Sequence, residues 1–75
     1  MHATIYTKNH CIHCEAAKRL MRMKGMVFNE KSIDKDREGF IKKFPHVRMA
    51  PHILIDGKEI GGFDKLKEYF NENRL

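Results

Sequence analysis

Asp56-Gly57 stands between two short β-prone runs, Ile53-Leu54-Ile55 and Lys58-Glu59-Ile60, and it is the local feature that most restricts the fold. A two-residue Asp-Gly loop closes a type I′ hairpin, because both positions tolerate positive φ and the turn's twist then matches that of the strands. The last third of the chain is therefore committed to an antiparallel pair. What precedes it has a different rhythm. Ala3-Thr4-Ile5-Tyr6-Thr7 is rich in strand formers. After the loop Lys8-Asn9-His10, a helix is predicted from Cys11 or just beyond it. Ala16, Ala17, Leu20, Met21 and Met23 fall on one face of that helix, Lys18, Arg19 and Arg22 lie mostly off it, and Gly25 stops it. The stretch from Met26 to Ile33 reads as a second strand. Asp34 suits an N-cap for a short second helix, with Asp36 and Glu38 in the first turn, where the helix dipole favours negative charge. Phe40, Ile41 and Phe44 give that helix its apolar face, Lys42 and Lys43 its last turn, and Pro45 its end. Beyond the hairpin, Gly61-Gly62 leads into a third helix with Phe63, Leu66, Tyr69 and Phe70 on one side.

The order β-α-β-α-β-β-α implies an α/β fold. Its opening strand–helix–strand unit forms a right-handed parallel crossover. The hairpin completes a four-stranded mixed sheet flanked by three helices. Residues 1–75 are read as one domain, in which every element must contribute to one shared core because so small a domain buries a limited share of its surface. With 41% hydrophobic and 33% charged residues, the composition is globular rather than disordered. No apolar run approaches the ~20 residues of a membrane span. Met1 to Thr7 lacks the basic start and apolar stretch of a secretory leader, so a cytoplasmic location without membrane association is expected. The formal charge is +5, with local density at Lys18, Arg19, Arg22 and Lys24. This is either a solvated basic helix face or a means of steering an anionic partner. No aromatic–basic module accompanies it, so nucleic acid is not an expected partner.

The chemistry-bearing residues are Cys11 and Cys14, in His10-Cys11-Ile12-His13-Cys14. A bridge between cysteines three apart closes a tiny loop and removes little unfolded-state entropy, so the pair is a poor staple and reactivity explains it better. A Cys-x-x-Cys at the first strand-to-helix junction is the thioredoxin-like arrangement. At the helix start, unpaired N–H groups and the dipole stabilise a thiolate, which makes Cys11 the expected nucleophile. Cys14, one turn further in, is the expected resolving thiol. Lys8, His10 and His13 add positive potential nearby, and His13 is expected to stabilise the reduced form. Two inert buried thiols are the plain structural alternative. Zinc held by His10, Cys11, His13 and Cys14 is another, although a closed zinc site normally joins two separated ligand pairs, and no obligatory metal is expected.

The sequence also resembles the glutaredoxins nearly end to end. Ile5-Tyr6-Thr7-Lys8 running into Cys-x-x-Cys looks like that family's first strand and active-site loop. Ala17-Lys18, Lys24-Gly25, Phe28 and Glu30 follow in register. Ala50-Pro51-His52-Ile53-Leu54-Ile55-Asp56-Gly57 is similar to the family's Val-Pro-x-hydrophobic segment, and Ile60-Gly61-Gly62-Phe63-Asp64-Lys65-Leu66 to its Gly-Gly-x-Asp-x-Leu segment. The resemblance implies a thioredoxin fold and thiol–disulfide exchange with glutathione as reductant. It implies that Lys8, with Arg37 beside it, faces the glycine carboxylate of glutathione. Ala50 would pair its backbone with the cysteinyl part, Pro51 would be a cis-proline facing the cysteines, and Gly62, Phe63 and Asp64 would hold the γ-glutamyl end. The implied partners are glutathione and disulfide-bearing proteins, acted on by a monomer.

Three departures stand out. Ile12-His13 replaces the family's usual Pro-Tyr, so His13 takes the place of an aromatic that would line the glutathione groove. Met49-Ala50 replaces the common Thr-Val, and the stretch between the second helix and Pro51 looks short. These departures raise a neighbouring reading: a glutaredoxin-like electron donor to ribonucleotide reductase, reduced by thioredoxin reductase. Such donors usually carry Trp-Ser-Gly-Phe, whereas this chain has no Trp and carries Gly61-Gly62-Phe63-Asp64, which favours the glutathione-using branch. An iron–sulfur or metal-binding module of the same family is a further alternative, since thiolates are suitable soft ligands.

Overall fold

The computed structural model describes residues 2–72. Its elements are β1 (His2–Thr7), α1 (Ile12–Met23), β2 (Val27–Ser32), α2 (Arg37–Lys43), β3 (His52–Ile55), β4 (Lys58–Gly61) and α3 (Phe63–Glu72). The strands form one mixed sheet in the order β2-β1-β3-β4. β1 runs parallel to β2, with Ile5 opposite Glu30, and antiparallel to β3, with Ile5 opposite Ile53. This is the thioredoxin fold, in the predicted element order. Asp56 and Gly57 have φ of 52° and 81°, the two positive values that a type I′ turn requires.

Alternation along the central strands sends side chains to two cores. On one face Ala3, Ile5, Ile53 and Ile55 meet Ala17 and Met21 of α1 and Leu66 of α3. Ile5, Met21, Ile53 and Leu66 are fully buried, and each such side chain contributes about 1.5–3 kcal/mol of hydrophobic stabilisation. On the other face Ile33, Phe40 and Phe44 pack with Tyr6, Val47, Ala50 and Leu54. Phe40 and Phe44 are one turn apart and each contacts the Tyr6 ring, at centroid distances of 5.2 and 5.3 Å. The second core thus runs directly from α2 to Ala50, the residue before Pro51.

Four local expectations change. The N-cap of α2 is Asp36, not Asp34: its carboxylate accepts the Gly39 N–H at 3.0 Å. A turn from Ile33 to Asp36 uses up the intervening residues, and Asp34 instead accepts the Asn9 N–H at 2.9 Å and pairs with Arg37. Ile41 is exposed because Phe40 and Phe44 already fill the short contact of α2 with the sheet, and Met23 is exposed at the end of α1. Lys18 is not on a solvated face. It is buried, 8% exposed, and its ammonium donates to Glu15 Oε2 at 2.9 Å and to Glu30 Oε2 at 3.1 Å. The Thr7 hydroxyl donates to the same Glu30 oxygen at 2.9 Å. The aliphatic stem of Lys18 lies in the protein while its head is held by two carboxylates, so α1 is tied to both β1 and β2.

Candidate active site around Cys11 and Cys14

The site begins where β1 ends. Thr7 leaves the sheet, His10 takes a positive φ of 55°, and Cys11 becomes the N-cap of α1 with an extended backbone (φ −117°, ψ 106°). In this N-cap position the Cys11 sulfur does what a serine or aspartate oxygen does elsewhere: it accepts the Cys14 N–H, at 3.2 Å. A helix N-terminus and a donated N–H aimed at one sulfur favour its anionic form. Cys11 and Cys14 are paired as a disulfide, with Cα atoms 5.2 Å apart. Their environments differ. Cys14 is 1% exposed, whereas Cys11 is partly open to solvent. An incoming disulfide therefore meets Cys11 first, and Cys14 is reached only from within the protein.

The Ala50 carbonyl oxygen lies 3.8 Å from Cys11 Sγ, and the Ala50–Pro51 peptide is cis. The loop before β3 thus lies against the sulfur. From there a groove of about 680 Å³ runs past Pro51 to the start of α3, taking in His13, Ala50, Gly62, Phe63 and Asp64. The His13 and Phe63 rings are 6.2 Å apart and tilted. The two glycines at this end have different reasons. Gly61 has φ 122°, a conformation side chains rarely adopt, and a Cβ there would press on the Lys65 side chain at 3.0 Å. Gly62 carries no such demand: a Cβ there would sit 3.6 Å from the Pro51 carbonyl oxygen, an ordinary contact. Its lack of a side chain keeps the groove open beside the cis-proline.

The groove gathers six of the eight residues expected around glutathione. Lys8 is exposed in the loop after β1, and Arg37 is ion-paired to Asp34 at the start of α2; neither lines this groove. His13 has a ring contact with Phe63 and no hydrogen bond to either sulfur. Among the described residues, no group of three or more His, Cys, Asp or Glu side chains is arranged to hold a metal ion.

Sequence reasoning missed one cluster in the groove wall. Glu59 Oε1 receives His46 Nε2 at 2.7 Å and His52 Nε2 at 2.9 Å. His52 is buried against Phe44, with ring centroids 4.7 Å apart, and burial holds its imidazole below the usual histidine range. Hydrogen bonds from His46 and His52 lower the Glu59 carboxyl, so it is held as the anion. The available signal was the hairpin register. Glu59 stands opposite Leu54, and His52 is two residues further along the same strand face.

The disulfide at the N-terminus of α1, beside a cis-proline just before β3, points to one family. The glutaredoxin family model matches residues 3–60. The chain belongs to the glutaredoxin family. It is 43% identical over 65 residues to glutaredoxin 3 of Escherichia coli, covering 83% of this chain and 77% of that one. The fold matches glutaredoxin 1 of Francisella tularensis, solved with cacodylate, with a TM-score of 0.84 at 30% identity over 95% of this chain and 93% of that one. It also matches the glutaredoxin-like protein NrdH-redoxin of Escherichia coli, described as having a thioredoxin-like activity profile, with a TM-score of 0.77 at 28% identity over 100% and 97% of the two chains. This glutaredoxin is accordingly a thiol–disulfide oxidoreductase whose Cys11 and Cys14 form the family's Cys-x-x-Cys pair.

Proposed function

We propose that this glutaredoxin is glutathione-dependent and reduces protein disulfides and glutathione mixed disulfides through Cys11 and Cys14. The supporting observation is the continuity of the groove: it joins Cys11's neighbour Ala50, cis-Pro51 and the Gly62-Phe63-Asp64 helix start in one surface. The α3 N-terminus offers N–H groups to a carboxylate, and Asp64 offers an acceptor to an ammonium. Those are the two charged groups of a γ-glutamyl end.

In the forward reaction the Cys11 thiolate attacks one sulfur of the substrate disulfide. The substrate S–S bond breaks, a Cys11–substrate disulfide forms, and the departing thiolate takes a proton from water. Cys14, as thiolate, then attacks Cys11 Sγ, releasing the second substrate thiol and forming the Cys11–Cys14 disulfide. Two electrons have passed to the substrate. Glutathione returns them. One glutathione thiolate opens the pair, leaving glutathione on Cys11 and a thiol on Cys14. A second attacks the glutathione sulfur, giving oxidised glutathione and free Cys11.

The rival electron source is thioredoxin reductase, a reading favoured by the 28% identity to a redoxin described as thioredoxin-like in activity. Consumption of NADPH, with a mixed disulfide as substrate, separates the two. Turnover with glutathione and glutathione reductase, and little with thioredoxin reductase, is the expected result. Turnover with thioredoxin reductase alone would transfer the chain to the rival reading.

A further inference from the structure

We propose that Ile12, Met49 and Arg48 form a docking surface selecting protein substrates whose target disulfide lies in an extended segment bearing apolar and acidic side chains. This rests on the thiol–disulfide reading above and names its substrate class.

Ile12 follows Cys11 directly and is 85% exposed; Met49 precedes Ala50 directly and is 78% exposed. The Cys11 sulfur and the Ala50 carbonyl are 3.8 Å apart, so two large apolar side chains reach solvent from the two segments that meet at the reactive sulfur. The core explains neither. Both lie outside the two buried clusters, and a chain of this size gains nothing for its own stability by exposing them there. Both also occupy positions where the family resemblance expects smaller or more rigid residues, proline and threonine.

Arg48 supplies the charge. Among the described residues lining the groove, Glu59 is held by His46 and His52 and Lys65 faces Glu68 at 3.8 Å, while Asp64, largely exposed and 3.5 Å from Lys67, is an acceptor for cations only. Arg48 is exposed, lines the groove and has no ion-pair partner among the described residues. It sits two residues before Ala50, at most roughly 7 Å away along the backbone. An aspartate or glutamate one or two positions from the target cysteine of an extended segment is within its reach. The overall charge of +5 favours the same partner at long range.

The test uses protein reduced beforehand with dithiothreitol, so its outcome does not depend on glutathione. Single-turnover rates are measured on three disulfides of one coloured aryl thiol. In the first, the partner is a peptide cysteine flanked by leucine and aspartate; in the second, a peptide cysteine flanked by serine and lysine; in the third, mercaptoethanol. At low salt the acidic peptide is expected to react about three- to fivefold faster than the basic one, and the preference should shrink in high salt. Arg48→Glu should reverse the peptide preference. Ile12→Ser combined with Met49→Ser should slow the leucine-bearing peptide about tenfold relative to mercaptoethanol. An unchanged peptide preference in Arg48→Glu, or an equal slowing of all three disulfides in the double variant, overturns the proposal. Absence of turnover with glutathione and glutathione reductase would instead remove the proposed reductant and leave these ratios intact.

Discussion

At the scale of single residues, the asymmetry between the two cysteines matters most. Cys11 combines partial exposure, an N-cap position and a donated N–H, whereas Cys14 is buried one turn behind it. Cys11→Ser should therefore abolish activity on every disulfide. Cys14→Ser should retain at least about a tenth of wild-type turnover on glutathione mixed disulfides, because that reaction needs one thiol, yet lose reduction of intramolecular protein disulfides. Comparable losses in both assays for Cys14→Ser would refute this division. His13 is a second case. Its imidazole lies on the groove wall against Phe63, one residue from Cys14, and we propose that it favours the reduced pair. Equilibration with glutathione should give His13→Ala a potential lower than wild type by about 10–30 mV; an unchanged value would assign His13 to the groove alone. The cysteine roles were legible from spacing and helix placement. The burial of Lys18 was not, because helical periodicity ranks residues by polarity and cannot foresee that Glu30, twelve residues later, lies across the sheet edge to receive the ammonium.

At the scale of elements, the same Lys18 joins α1, which carries Cys14, to the parallel pair β1 and β2. Hydrogen bonds to Glu15 and then Glu30 hold its ammonium above the ordinary lysine range, while the Thr7 hydroxyl and Lys18 hold the Glu30 carboxyl below its own. Removing one partner of such a pair costs more than replacing a charge with an apolar chain of similar length, since the first leaves a buried charge short of a partner. Glu30→Leu should destabilise by about 1–2 kcal/mol and Lys18→Met by less. Urea denaturation of both variants checks the order, and a larger loss for Lys18→Met would contradict it. The elements themselves were readable in advance because each carries its own punctuation: Asp56-Gly57 for the hairpin, Gly25 for the end of α1, and Lys42, Lys43 and Pro45 for the end of α2. The α2 cap moved from Asp34 to Asp36 because two aspartates two residues apart both satisfy the local rule. The choice is made by the turn through Ile33, which anchors the second core.

At the scale of the whole molecule, two cores on opposite faces of one sheet bring the start of α1, the end of the α2–β3 loop and the start of α3 to a common rim. The resemblance made the residues of that rim legible, and the cluster of His46, Glu59 and His52 was hidden because it spans a loop, a strand and a bulged hairpin. That cluster links stability to pH. His52 has a folded pKa below its ordinary 6.5, so the stability it confers is complete above that value and is lost as the pH falls through the folded one. Glu30 and Glu59, both lowered from 4.5, extend the loss to more acid conditions, whereas Lys18, raised from 10.5, loses its contribution only in strong alkali. The urea midpoint of wild type should fall between about pH 7.5 and about pH 5.5, and that fall should be largely absent in His52→Phe; equal slopes would assign the acid sensitivity elsewhere. The central claim is that glutathione is exchanged at Cys11. It is tested most directly by incubating Cys14→Ser and Cys11→Ser with oxidised glutathione and locating the adduct by peptide mass mapping. One glutathione on Cys11 in the first variant, and none on the buried Cys14 of the second, is the predicted result; an adduct on Cys14, or no adduct on Cys11, would contradict it.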